Sequence, residues 1–356
     1  MYEQFGFETM TPLAASAVLG LLLGVIFGAI ALCTRFCLRR ALVSDDKDER
    51  KSAARLWVMA LAFGVLGTQL GILAGWIDFT GHRFHAAEIP VLLIALGGLL
   101  FGAGMVLTRG CASRLSVLAG SGNLRALLVL LIFSITAHAT LKGFLAPLRT
   151  ALAGYTLDTT ALISMTQFEL LVFTAIALAV TAIVTVWVRP GANRSQLVGG
   201  AVIGLLVPIA WVGTGLVLQD DFDPIAFQSL SFTSSASEWL FWGIASTSIG
   251  AGFGVGLIFG VLLGSAATAV VTRKFQWVSF SSPGQTGRYA VGGALMGIGG
   301  VFAGGCTVGA GLSGLSSLSI SALLALISIV TGALVTDRVL KLSWSGGIVS
   351  YRMPSL

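Results

Sequence analysis

Charge is scarce in this sequence, and histidine almost absent. Asp, Glu, Lys and Arg make up 10% of its 356 residues, with three histidines and four cysteines. A soluble globular domain carries roughly 25% charged residues, so the composition excludes an ordinary soluble enzyme or binding module. No G-x-x-x-x-G-K-[ST] segment occurs, which excludes a P-loop ATPase within this chain. The cysteines have no histidine or carboxylate at ligand spacing beside them, so neither a metal site nor a cofactor is expected. A disulfide framework does not suit a large chain embedded in lipid. Strand-like alternation of polar and apolar residues is missing too, which excludes a transmembrane barrel. The opening MYEQFGFETM holds Glu3 and Glu8 and no basic cluster, so it does not read as a cleaved signal and the first apolar run is expected to be retained.

What is abundant is apolar length. The chain is 56% hydrophobic with a mean hydropathy of +0.93. Apolar segments fall at 12–32, 56–77, 90–108, 124–146, 166–188, 197–218, 239–271, 289–303 and 319–336. A helix needs about 20 apolar residues to cross the hydrocarbon core. The predicted fold is an all-α polytopic membrane protein, with residues 1–356 forming one membrane-embedded domain. The run 239–271 is too long for one simple crossing, and its glycines from Gly243 to Gly256 predict a break into two helices. The net charge of +6 does not signal nucleic acid, because the basic residues gather in short loops. Arg35–Arg55 holds Arg35, Arg39, Arg40, Lys47, Arg50, Lys51 and Arg55, which predicts a cytoplasmic loop. The basic loop Arg189–Arg194 fits the same side. Gln219–Glu238 holds Asp220, Asp221, Asp223 and Glu238 without Lys or Arg, which predicts an external one.

Two glycine-rich segments end in a cysteine at the same internal position: GGLLFGAGMVLTRGCAS (Gly97–Ser113) and GGALMGIGGVFAGGCTV (Gly292–Val308). A second match precedes them, GLLLGVIFG (Gly20–Gly28) with GLIFGVLLG (Gly256–Gly264), in which glycines every fourth residue let helices approach closely. These matches predict two related halves, approximately 12–146 and 239–336, with broken or re-entrant helices meeting at a central constriction. Gly110 and Gly305, beside Cys111 and Cys306, are expected to adopt positive φ or to let a substrate reach backbone N–H groups. Asn123 is expected to cap the next helix. A thiol is small, polarizable and a weak hydrogen-bond partner, which suits a sulfur-containing substrate. Cys33 and Cys37 stand together in CTRFC. Arg109 and Arg114 remain charged when buried, so they either hold a dianion in the path or snorkel to the interface. His138, in SITAHAT, is expected to be a neutral imidazole bonded to Ser134 or a backbone carbonyl. His82 and His85 lie in a loop and carry no expected role.

RFCL (Arg35–Leu38) after a GxxxGxxxG helix, GCAS (Gly110–Ser113) before a GxGN turn (Gly120–Asn123), and GGCTVGAGLSG (Gly304–Gly314) together resemble the YeeE/YedE sulfur-transport family. The resemblance implies a multi-pass permease of the bacterial inner membrane that imports thiosulfate or a similar small sulfur anion. It implies a path narrowed by three thiols, Cys37, Cys111 and Cys306; Gly110, Gly305, Thr307, Arg109 and Arg35, beside these cysteines, are expected to support substrate binding. It further implies transport rather than catalysis, and a separate TusA-like sulfur carrier protein as cytoplasmic partner. The chain departs from the family pattern at Arg109 and Arg114, where small residues are usual, and Cys33 is an addition. Two alternatives stay open: another sulfur or selenium cargo, and a membrane thiol enzyme that takes up sulfane sulfur as a cysteine persulfide.

Overall fold

The computed structural model describes residues 10–158, 165–188, 193–220 and 222–345. Glu3, Glu8, Arg189 and Asp221 lie outside the described residues. The described chain is helical: α1 (Pro12–Thr34), α2 (Leu38–Val43), α3 (Lys47–Leu73), α4 (Val91–Leu107), α5 (Ala112–Gly120), α6 (Leu124–Lys142), α7 (Ala146–Ala153), α8 (Met165–Val188), α9 (Arg194–Val212), α10 (Phe232–Ala245), α11 (Phe253–Val271), α12 (Pro283–Phe302) and α13 (Ile320–Ser345). A small antiparallel ribbon pairs β1 (Glu88–Ile89) with β2 (Leu157–Asp158). Among the described residues eight helical segments are long and apolar enough to cross a membrane, and the protein is an all-α, multi-pass membrane protein.

Local chemistry sets the helix starts. Thr11 accepts from the Ala14 N–H ahead of Pro12, Asp46 accepts from Asp48 and Glu49, and Ser282 accepts from Gln285 ahead of Pro283. Each satisfies an orphan donor of a first turn. Asn123 caps α6 through the Ala126 N–H, as its position in the sequence leads one to expect. The long run 239–271 is indeed divided, with α10 ending at Ala245 and α11 beginning at Phe253.

Glycine contacts fix which helices pack and in which direction. Gly20, Gly24 and Gly28 lie against Phe253, Leu257 and Val261, so α1 and α11 run parallel with backbones in contact. A β-carbon at Gly24 would stand 2.9 Å from the Val261 nitrogen, which is why only glycine serves there. By the same reading α3 and α9 are parallel, through Gly200 on Leu56 and Gly204 on Ala60. So are α6 and α12, through Gly293 on Val129 and Gly297 on Phe133, and α4 and α13, through Gly98 on Ala325 and Gly102 on Ile329. In contrast α4 and α12 are antiparallel, Gly97 meeting Ala303 and Gly104 meeting Gly292. The two pairs that match in sequence thus pack differently, α1 and α11 in parallel and α4 and α12 antiparallel.

Candidate functional site: three broken helices and a walled cavity

All three buried cysteines sit just beyond a helix break of the same construction. Two residues before each, the chain takes a left-handed conformation: Arg35 (φ 54°), Arg109 (φ 60°) and Gly304 (φ 73°). Helices α1 and α4 then close with backbone bonds five residues long, Phe36 N–H to the Ala31 carbonyl at 3.2 Å and Gly110 N–H to the Met105 carbonyl at 3.1 Å. These are Schellman-type endings, which satisfy last-turn carbonyls. The cysteine that follows is extended and opens the next short helix: Cys37 is the N-cap of α2 and Cys111 the N-cap of α5. Cys306 instead precedes a π-helical turn, Gly309–Gly314.

This corrects the sequence expectation for Gly110 and Gly305. Neither has positive φ; the left-handed residue is one position earlier in both segments. Two arginines therefore accept a conformation that costs an L-residue about 1–2 kcal/mol, and nothing in the side chain of Arg109 announces it. Of the glycines that follow, Gly305 is needed for space: a β-carbon there would lie 2.8 Å from the Ala310 nitrogen, whereas one on Gly110 would make ordinary contacts with Leu115 at 3.4 Å and Arg114 at 3.6 Å.

The breaks bring the predicted thiols together. Cys37 and Thr307 are electrostatic neighbours of Cys111, whose sulfur lies 3.3 Å from the Ser113 hydroxyl. Cys306 is adjacent in the chain to Thr307, and its sulfur accepts the Gly309 N–H at 3.3 Å. All three thiols are free and buried, while Cys33 is exposed. Arg114 reaches the Ala31 carbonyl at 3.5 Å and has Cys37 and Cys111 among its electrostatic neighbours. Arg35 is exposed, and its carbonyl accepts from Arg40 at 2.8 Å, so it serves the break through its backbone. Arg109 is half-buried near Tyr289, Arg288, Arg39 and Arg125.

A fourth break was invisible in the sequence. Ser231, the extended N-cap of α10, is buried against Gly309, and its hydroxyl has no hydrogen-bond partner. The Thr233 hydroxyl, against Gly300, is likewise buried and unpartnered. The only signal was the polar run SLSFTSS (Ser229–Ser235) ahead of an apolar helix, which reads equally well as a loop.

Ser231 and Gly309 also belong to the wall of a cavity of about 410 Å³, built by Thr80–Phe84, Trp211, Ala226–Ser231, Ser234 and Ser313. Its floor is tied down by the Ser313 hydroxyl, which donates to the Leu230 carbonyl at 2.8 Å. Trp211 packs its ring on His82 and Phe227, with centroids 5.2 and 4.7 Å away, and leaves its buried Nε1–H without a partner. Burial pushes the His82 imidazole down to about 4, and Arg83 and His85 add to the shift. Burial also lowers His85. Desolvation pulls Arg83 down from its usual range, yet a guanidinium stays cationic at neutral pH. The cavity thus has one fixed positive charge, the neutral His82 imidazole and unused hydrogen-bond donors. His82, given no role from sequence, lines it.

His138 is bonded through Nδ1 to the Ser237 hydroxyl at 2.9 Å and stacks on Phe241. Ser134, the expected partner, donates to the Leu130 carbonyl instead. Among the described residues no group of His, Cys, Asp and Glu could hold a metal ion.

A donor-lined, singly cationic cavity beside a cluster of thiols is suited to a small anion that contains sulfur. The family model described as "Sulphur transport" matches residues 33–335, which include all three breaks. The chain belongs to this sulfur-transport family. It is similar to the thiosulfate transporter TsuA of Escherichia coli (strain K12), 26% identical over 82% of this chain and 86% of that protein. It is also similar to the thiosulfate transporter TsuA of Spirochaeta thermophila, 25% identical over 88% of this chain and 96% of that one. The family match and these relatives indicate sulfur-anion transport.

Proposed function

We propose that the chain is a permease that imports thiosulfate, or a closely similar small sulfur anion, across a bacterial inner membrane. The path runs from the 410 Å³ cavity past Ser231 and Cys306, by Thr307 to Cys111 and Cys37, and out at the arginine-rich end. One observation supports this reading: the residues of that series are neighbours. The cavity wall includes Gly309, Gly309 donates to the Cys306 sulfur, Thr307 follows Cys306, and Thr307 and Cys37 are electrostatic neighbours of Cys111.

The chemistry fits a two-ended anion. Arg83, the Trp211 Nε1–H and the Ser231 hydroxyl take the oxyanion end, because each is a donor with nothing else to bond or a fixed charge. The thiols take the terminal sulfur through weak S–H···S contacts that are readily exchanged. Entry and release both remain fast when no single contact is deep, and no covalent step is required. The loop between α1 and α3 faces the cytoplasm by its excess of Arg and Lys. A separate TusA-like carrier receives the anion there.

Growth of a sulfur-auxotrophic host on thiosulfate as sole sulfur source, with labelled uptake, tests the reading. Wild type should support both. Cys37→Ala, Cys111→Ala and Cys306→Ala should each lower uptake at least tenfold with protein still in the membrane, and exposed Cys33→Ala should stay near wild type. Normal uptake by the three buried-cysteine variants would remove the thiols from the path. Two neighbouring free thiols, Cys37 and Cys111, favour a second reading as a sulfane-sulfur enzyme. Mass spectrometry during active uptake separates the two, since the permease keeps its thiols unmodified and the enzyme carries a persulfide.

A further inference from the structure

We propose that Arg40 is a positioning residue for the Cys37 thiol: together with Glu49 and Ser44 it clamps the helix break that presents Cys37, without touching the anion itself. The inference rests on the permease reading for the path that Cys37 lines. The clamp follows from the hydrogen bonds around it.

Glu49, in the first turn of α3, is the hub. One of its carboxylate oxygens accepts from Arg40 Nε at 3.0 Å and Nη2 at 2.7 Å, and the other accepts from the Ser44 hydroxyl at 2.7 Å. The remaining arm of the guanidinium, Nη1, donates to the Arg35 carbonyl at 2.8 Å. Arg35 is the left-handed residue of the first break, with φ 54°, and Cys37 follows two positions later as the extended N-cap of α2. Ser44 is the C-cap of the same helix. One carboxylate therefore holds both flanks of α2, the far end directly and the break before it through Arg40. A planar guanidinium reaches acceptors on two sides in a fixed geometry, and a lysine ammonium does not.

The rest of the break is held by packing. Phe36 is 2% exposed and stacks on Trp57 of α3, with centroids 6.2 Å apart and planes 6° apart, and Leu38 and Val43 are buried. That packing keeps the segment folded with or without Arg40. Positive φ on a non-glycine residue is strained, and a turn of the Arg35 peptide that relieved the strain would swing Cys37. The bond from Nη1 fixes the carbonyl of that peptide. The side chains of Arg40 and Glu49 are 20% and 34% exposed, and an ion pair so open to water adds little to global stability. What the pair supplies is geometry. A second ion pair, Lys341 of α13 with Asp45 at 2.9 Å, ties down the same loop, but the partners of Lys341 are Asp45 and Asp337, neither of them in the break.

Two measurements test the clamp. The first is labelling of Cys37 by a water-soluble maleimide, in full-length protein in nanodiscs that carries Cys33→Ala, Cys111→Ala and Cys306→Ala. Cys37 is 3% exposed, so labelling should be slow with Arg40 and Glu49 intact. The second is thiosulfate uptake into proteoliposomes by protein that keeps all its cysteines. Arg40→Gln and Glu49→Gln should each speed labelling at least tenfold. Each should lower the maximal uptake rate per folded protein at least fivefold with half-saturation unchanged, because neither residue lines the outer cavity. Asp45→Asn removes the other ion pair of the loop and should leave both readouts near wild type. Should Arg40→Gln not fold, Arg40→Lys keeps the charge without the two-sided reach and should give the same changes. Unchanged labelling in a folded Arg40→Gln or Arg40→Lys protein would overturn the proposal. So would faster labelling with a normal uptake rate, or an equal effect of Asp45→Asn, which would make Arg40 a general strut. Labelling needs no transport, so a wild type that carries no thiosulfate sinks the permease reading and leaves the clamp to be decided by labelling alone.

Discussion

Gly304 and Gly305 are neighbours with opposite reasons for being glycine, and alanine at each should separate the break from the passage beside it. At Gly304 φ is 73° and a β-carbon would have nothing within 4 Å. The only cost of Gly304→Ala is the left-handed conformation, about 1–2 kcal/mol, and it falls on stability. At Gly305 the backbone is ordinary, but the new carbon would lie 2.8 Å from the Ala310 nitrogen and 3.2 Å from the Gly309 carbonyl carbon. The turn must open by roughly half an ångström to restore normal contact, an overpacking cost of about 1–3 kcal/mol. That opening moves Gly309, whose N–H is held by the Cys306 sulfur at 3.3 Å. A displacement of this size at a reacting or binding centre lowers rates by about 10- to 100-fold. Uptake per folded protein, the latter measured by size-exclusion after extraction, is the assay. Gly304→Ala should give less folded protein with a near-normal rate per molecule, and Gly305→Ala folded protein with a rate reduced at least tenfold. Equal rates per molecule for the two variants would refute the argument that the Gly309–Cys306 geometry gates the path.

Three further outcomes follow from other parts of the molecule. Ser231→Ala removes a buried hydroxyl with no partner, so thermal stability should hold or rise, while half-saturation for thiosulfate should rise roughly fivefold, the worth of one hydrogen bond of about 1 kcal/mol; unchanged half-saturation would take Ser231 out of the path. Because His82 is held neutral down to about pH 4, thiosulfate binding in the cavity should be flat between pH 7 and 5. A rise in affinity with a midpoint near the ordinary histidine value of about 6.5 would contradict the burial argument. Gly260→Ala would press a β-carbon into the α1 backbone, 2.9 Å from Gly24 Cα, and should deplete folded protein from the membrane. Gly284→Ala, with open space around it, should not.

The membrane class, the cysteines and the helix breaks were legible because each depends on composition or on a local residue type. The glycine spacing of α1 and α11 predicted close packing for the same reason. Direction was not legible: a glycine every fourth residue reads the same forwards and backwards, so GLLLGVIFG and GLIFGVLLG could not tell parallel from antiparallel. The left-handed residues were placed one position late because glycine is the usual tenant of that conformation, and Arg109 occupies it regardless. The cavity escaped notice because its walls, Thr80–Phe84 and Ala226–Ser231, come from two loops far apart in sequence. The same is true of the bond between His138 and Ser237.

The direction of the helices assigns α8 a task of its own. Because α3 and α9 run parallel, and α1 and α9 antiparallel, with Gly199 against Thr34 and Gly213 against Leu19, α9 enters the bilayer from the surface opposite to that where α1 enters. After the four crossings α1, α3, α4 and α6, the chain needs an odd extra passage before α9 can start from the other surface. Helix α8 supplies it. It leans on α3 through Ile183 and Val186, while Leu178 and Val188 are 70% and 73% exposed. Its apolar length, Leu171–Val188, is what carries the chain back across so that α9 starts from that surface.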